Sequence, residues 1–60
     1  MTPAEAEHFL STGRARYGVL LGWQIAHEVA GELEWFSVTE ADAQLLDVAA
    51  GRRLGEERAP

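Results

Sequence analysis

Very small residues recur at every fourth position in the middle of this 60-residue chain, at Gly18, Gly22, Ala26 and Ala30. Residues four apart lie on one face of an α-helix, and a helix face without bulky side chains lets a second backbone approach closely. Large apolar residues occupy most of the positions between these small ones. The spacing therefore predicts a helix over 14–30 that packs tightly against a neighbouring polypeptide.

Capping signals predict two further helices. Thr2 is followed by a proline and, three residues later, by a glutamate, which is the pattern of a capping box and predicts a helix over 3–12. Thr39 is followed by acidic residues that suit the first turn of a helix. This second signal predicts a helix over 40–50, which we expect to end at Gly51.

These elements together predict an all-α fold of two to three short helices, over about 3–12, 14–30 and 40–50. We expect residues 1–54 to form a single helical domain and residues 55–60 to form a frayed C-terminal tail. A chain of this length buries too little apolar surface for a robust core, and it has no cysteine for disulfides. We therefore expect a helical hairpin that oligomerisation or a partner completes.

The segment 32–38 stays open between a strand and a loop. Its aromatic and β-branched residues would permit a short strand, but we find no second strand to pair with it. It would then be an extended connector or an edge strand donated to another chain. Trp35 and Phe36 are adjacent, and neighbours in an extended segment point to opposite sides, so one of them should be exposed or covered by a partner.

The charge balance limits the classes of partner. Five arginines, no lysine and ten acidic residues give a net charge of −5, which disfavours binding to nucleic acid and favours a basic protein. The apolar stretches are too short to span a membrane, and the acidic N-terminal segment differs from a secretory signal. We expect a cytoplasmic protein, and the Ala-rich, Lys-free composition is typical of a GC-rich bacterial or phage genome.

Residues that could carry chemistry do not form a recognisable site. His27 and Glu28 begin like a zinc-protease motif, but Gly31 stands where that motif needs its second histidine. His8 with a neighbouring glutamate would supply two ligands, too few for a metal. The serines and threonines stand at turn and cap positions. We therefore predict no enzyme activity, no catalytic residue, no metal site and no cofactor.

The function that these features favour is a small acidic protein–protein interaction module that acts by helix-face packing. It would serve as an inhibitor, an antitoxin, a phage host-binding protein or an accessory subunit, bound to a protein partner or to itself as a homo-oligomer. The alternative is a small dimeric helix-turn-helix regulator that would use Arg14, Arg16, Arg52 and Arg53. The predicted interface residues are Gly18, Gly22, Trp23, Ile25, Ala26, Val29, Ala30, Trp35 and Phe36.

Overall fold

The computed structural model describes the backbone of residues 1–58 and the side chains of residues 1–51. One helix precedes and one helix follows a three-stranded antiparallel sheet along the chain. The sheet is a meander with its second strand in the centre. The elements are α1 (Pro3–Ser11), β1 (Ala15–Gly18), β2 (Gly22–Val29), β3 (Glu32–Ser37) and α2 (Glu40–Arg58). The chain is mixed α/β, so our prediction of an all-α helical bundle is wrong.

The helix predicted over 14–30 is a β-hairpin made of β1 and β2. Ala15 pairs with Ile25, and Tyr17 pairs with Trp23, so these apolar side chains share one face of the sheet. A spacing of four is an even number, and it therefore fits the two-residue period of a strand as well as the turn of a helix. Periodicity alone does not separate the two structures in a short apolar segment.

The small residues that we assigned to one helix face have separate roles in the hairpins. Gly18 and Gly22 pair with each other at the mouth of the β1–β2 turn, and a Cβ atom on either would meet nothing within 4 Å. No atom of the described residues therefore lies close to the side of either glycine on which a side chain would stand. Gly22 has a φ of +70°, a left-handed conformation that closes the three-residue turn before it and that favours glycine.

The β2–β3 turn resolves the open assignment of 32–38, because β3 forms there and pairs with β2. The sequence indicates no partner for this strand, because the partner, β2, lies inside the segment predicted as a helix. Ala30 and Gly31, the two residues of the turn, have φ values of +52° and +83°. Positive φ at both positions is the mark of a type I′ hairpin turn, and it is an unfavourable conformation for alanine.

Helix α1 begins and ends through local hydrogen bonds. The Glu5 amide donates to Oγ1 of Thr2 over 3.1 Å, and the Thr2 amide donates to Oε1 of Glu5 over 2.9 Å, so the capping box is complete. The bond from the Thr2 backbone lowers the pKa of Glu5. At the other end Gly13, with a φ of +72°, closes a Schellman turn with backbone bonds back into the last turn of the helix.

Helix α2 begins as expected but is longer than the predicted helix over 40–50. Oγ1 of Thr39 accepts a bond from the Asp42 amide over 3.2 Å. The helix then continues through Gly51 and Gly55 to Arg58, since each glycine inside a helix costs only about 1 kcal/mol. Of the tail predicted over 55–60, residues 55–58 lie in α2, and residues 59–60 lie outside the described residues.

The core is small and lies where the two helices meet the sheet. Helix α1 contacts α2 and β1, and α2 contacts β2. Leu46 is fully buried beside Ala6 and Ala49. Partly buried apolar side chains surround them: Met1, Leu10, Ala15, Trp23, Ile25, Val38 and Leu45. We call the side of the sheet that carries Trp23 and Ile25 the helix face, and the opposite side the outer face.

Replacing Ala30 by Asn should stabilise the protein, because Asn-Gly suits a type I′ turn and alanine does not. We expect the free energy of unfolding to rise by about 0.5–1 kcal/mol in urea titrations followed by tryptophan fluorescence. As the control in the same turn, Gly31→Ala should lower it by about 1 kcal/mol or more. A loss of stability in Ala30→Asn would contradict the left-handed turn.

Candidate functional site

The β1–β2 hairpin ends in a cluster of exposed apolar side chains, which we call the apolar tip (Tyr17, Val19, Leu20 and Leu21). Val19 and Leu20 are each 95% exposed, Leu21 is 67% exposed and Tyr17 is 65% exposed. Single exposed apolar residues are normal on protein surfaces, whereas contiguous ones mark interaction sites. The apolar tip is therefore the best candidate for a functional site.

Folding gives no reason for apolar residues in this turn. Hairpin turns usually carry Gly, Asn, Asp or Ser, and here three large apolar residues stand between Gly18 and Gly22. None of the three turn residues has a positive φ, since Gly22 supplies the left-handed position. Polar residues would serve this backbone equally well. A departure from local sequence rules without a folding benefit is typical of functional sites.

An arginine with two side-chain contacts stands beside the apolar tip on the outer face. A hollow of about 430 Å³ lies between the turn and the strands, and Arg16 and Gln24 are its polar lining residues. Nε of Arg16 donates to Oε1 of Gln24 over 3.0 Å. The guanidinium carbon also lies 4.1 Å from the ring centroid of Trp35, a cation–π distance. These two contacts hold a positive charge at the base of the tip.

On the helix face, the strands that support the tip are fastened to α2. The rings of Tyr17 and Trp23 meet edge to face, with centroids 5.5 Å apart. Nε1 of Trp23 donates to Oδ1 of Asp47 over 2.7 Å. A bond to a charged acceptor is stronger than a neutral one, so it anchors β2 on the helix that carries Leu46. The exposed tip therefore projects from a fixed base.

A second aromatic group lies on the helix face towards the other end of the sheet. The ring of His27 lies 5.6 Å from that of Phe9 and 5.7 Å from that of Phe36, measured between centroids. Glu34 is the cross-strand partner of His27. Among residues 1–51, no three His, Asp or Glu side chains come together in a way that could hold a metal ion.

The predicted interface residues do not form one surface. Trp23 and Ile25 face the helices and pack against the core, whereas Ala26 is buried on the outer face opposite Trp35. Phe36, 43% exposed, lies on the helix face. The remaining residues are divided between the two turns: Gly18 and Gly22 at one, Val29 and Ala30 at the other. That any of them contacts a partner stays a prediction.

Our prediction omitted the residues of the apolar tip, although the sequence carries a signal for them. Glycines at 18 and 22 enclose three apolar residues, and alternating segments flank them on both sides. Short alternating segments around a glycine-containing connection are typical of a β-hairpin. Once that hairpin is recognised, the exposure of Val19, Leu20 and Leu21 follows from their position in its turn.

The alternative helix-turn-helix motif is not present in the described part of the chain. Three strands separate α1 from α2, so no two consecutive helices are joined by a short turn within residues 1–58. Arg14 and Arg16 lie before and in β1. The side chains of Arg52 and Arg53 are outside those that the structure describes.

No protein-family model, curated protein or solved structure matches this chain. Within residues 1–58, neither helix combines the length and the apolar character that crossing a membrane requires.

Replacing Leu20 by Ser should leave the stability of the protein almost unchanged, because the side chain is exposed and contacts no core residue. We expect the free energy of unfolding to change by less than about 0.5 kcal/mol in urea titrations. Leu46→Ser, which removes the buried leucine, should lower it by several kcal/mol. A large loss in Leu20→Ser would show that the turn is packed.

Replacing Asp47 by Ala should loosen the base of the hairpin, because it removes the acceptor of the Trp23 indole. We expect the free energy of unfolding to fall by about 1 kcal/mol. Gln44→Ala, an exposed change on the same helix, is the matched control and should have little effect. Equal stability of the two variants would contradict the role of the Trp23–Asp47 bond.

Proposed function

We propose that this chain is an acidic protein–protein interaction module that inserts its apolar tip into an apolar pocket of a partner protein. The observation that carries the proposal is the exposure of Val19 and Leu20, each 95%, in a turn where polar residues would fold equally well. Insertion of the apolar tip replaces helix-face packing as the proposed mechanism, since residues 14–30 form no helix.

Burial of the tip would supply a substantial part of a binding free energy. Each fully buried Val or Leu contributes about 1.5–3 kcal/mol, and Val19, Leu20 and Leu21 stand together. Association costs at least about 4 kcal/mol in lost freedom of motion. The tip is therefore the anchor of an interface, and Arg16 and Gln24 beside it are suited to the polar rim that surrounds such anchors.

The form of the tip favours a concave protein partner over a second copy of the chain. A hairpin turn is convex, and two convex turns bury little of each other. A stable interface buries at least about 1,200 Å², more than four side chains on each side supply. A pocket encloses the turn on several sides, so one short loop then contributes much of the interface.

The net charge of the chain favours a partner whose own net charge is positive. The net charge is −5, which raises the rate of association with a positively charged protein. Glu28 and Glu32 stand at the end of β2 and the beginning of β3, at the opposite end of β2 from the tip. Contacts at the tip are therefore apolar, while the acidic residues of the chain attract the partner over a longer range.

The limited core supports the need for a partner. Among the described side chains, the buried apolar ones are three alanines and Leu46: Ala6, Ala26, Leu46 and Ala49. Domains of this size commonly gain stability from an assembly. An inhibitor, an antitoxin, a phage host-binding protein and an accessory subunit would all be stabilised in this way.

The test places a photoreactive leucine analogue at position 20 and, as a control, at the exposed position 48 of α2 in cells that express the chain. We expect position 20 to cross-link to one protein that position 48 does not reach. With that protein purified, Leu20→Ser should weaken binding by about 30-fold, which corresponds to about 2 kcal/mol. Val48→Ser should change the affinity less than about twofold.

Three outcomes would overturn this proposal. Equal losses of affinity in Leu20→Ser and Val48→Ser would place the interface elsewhere. Self-association at micromolar concentration that Leu20→Ser abolishes would make the partner a second copy. Binding to phosphatidylcholine vesicles that depends on Leu20 would show that the tip enters lipid.

A further inference from the structure

Strand β3 is an open edge of the sheet, and it is distinct from the apolar tip. The strand order β1–β2–β3 leaves β3 with one neighbour, and the main helix contacts with the sheet fall on β1 and β2. Within residues 1–58, no backbone hydrogen bond from another element reaches the free side of β3. An uncovered edge strand is a template for pairing with another chain.

The hydrogen-bond pattern shows which backbone groups face outward from this edge. The Ala26 amide donates to the carbonyl of Arg14 over 2.9 Å, so the polar groups of Ala26 point towards β1. Antiparallel pairs alternate between bonded and non-bonded, and Trp35 is therefore the non-bonded partner of Ala26. The amides and carbonyls of Leu33 and Trp35, and by the same alternation those of Ser37, point away from β2.

Side chains on the two faces of β3 differ in charge. Glu32 and Glu34 alternate on the helix face, and both are exposed. Leu33, 51% exposed, and the half-buried Trp35 alternate on the outer face. An added strand would place its own side chains beside these, with cross-strand pairs on each face. Basic residues would suit one face and apolar residues the other.

We propose that β3 accepts an extended segment of another protein as a fourth strand, in which basic residues alternate with apolar ones. The basic side chains would pair with Glu32 and Glu34, the apolar ones would cover Leu33 and Trp35, and the outward backbone groups would complete the ladder. This site is separate from the apolar tip, because β1 and β3 are opposite edges of the sheet. The two sites adjoin where Arg16, beside the tip, stacks on Trp35.

A second copy of the chain suits this edge less well. Its β3 would bring the same two glutamates to an already acidic strand, and each chain carries a net charge of −5. Like charges beside each other across strands are destabilising. The two glutamates therefore discourage self-pairing at the edge and select for a basic segment.

The test titrates the full chain with a blocked heptapeptide in which valine and lysine alternate, and follows backbone amide resonances. We expect saturable shifts on β3 and slower hydrogen exchange, by about tenfold or more, at the amides of Leu33 and Trp35. The amides of Glu34 and Phe36 already bond to β2 and should change little. The same peptide with glutamate in place of lysine should not bind.

Two variants at position 33 distinguish the contribution of the backbone amide to peptide binding from that of the side chain. Leu33→Ala keeps the outward amide, and Leu33→Pro removes it at an edge position where proline is tolerated. We expect Leu33→Pro to bind the peptide about tenfold more weakly than Leu33→Ala. Glu34→Lys should also weaken binding about fivefold or more, whereas Glu28→Gln on the central strand should change it less than twofold.

Several results would overturn the inference. These are equal binding of the lysine and glutamate peptides, equal affinities of folded Leu33→Pro and Leu33→Ala, and unchanged exchange at Leu33 and Trp35 in the unmodified chain. Protection of these two amides that rises with protein concentration alone would show pairing between copies. If Leu33→Pro does not fold, the exchange measurement decides whether the peptide pairs with β3.

As a control, we expect Leu20→Ser to bind the peptide as the unmodified chain does, which would separate this site from the apolar tip.

Discussion

The burial of Leu46 between the two helices and the sheet is the contact on which the rest of this structure depends. It is the largest side chain that is fully buried among those described, and its buried neighbours Ala6 and Ala49 are small. So little buried apolar surface leaves a narrow margin over the entropy of the unfolded chain. Local devices therefore matter more here than in a larger domain, among them the capping box, the Schellman turn and the bond from Trp23 to Asp47.

Most of the exposed large apolar side chains among those described lie at one end of the sheet or along one edge of it. The apolar tip exposes large side chains at the β1–β2 turn, while Glu28 and Glu32 lie towards the other turn. The β3 edge combines both characters, with acids on the helix face and Leu33 and Trp35 on the outer face. If both proposals hold, the tip fits a pocket of one partner, and the β3 edge fits an extended segment in which basic and apolar residues alternate.

Sequence reasoning identified the helix boundaries that depend on local chemistry. Thr2 and Thr39 cap helices where their sequence context indicates, because a cap needs only residues within one turn. It failed over 14–30, where an even spacing suits both a helix and a strand. There the pairing of β2 with β1 and with β3 decides between the two structures. Strand pairing is a contact between distant residues, and β propensity depends strongly on such context.

The candidate site was missed for a related reason. Val19 and Leu20 are candidate site residues because they are exposed, and their exposure can be derived only after the hairpin is known. Trp35 and Phe36 were expected on opposite sides of an extended segment, and the two faces of β3 hold them in that arrangement. The division of the predicted interface residues between a core, two turns and two faces follows from the same alternation.

Glycines on both sides of the turn give the hairpin a further property. Gly18 and Gly22 pair with each other at the start of the turn. None of the three side chains between them belongs to the core or packs against it. Those side chains can therefore be exchanged in evolution without rebuilding the scaffold. Substitution of these three residues could therefore give specificity for a new target while the rest of the fold stays unchanged.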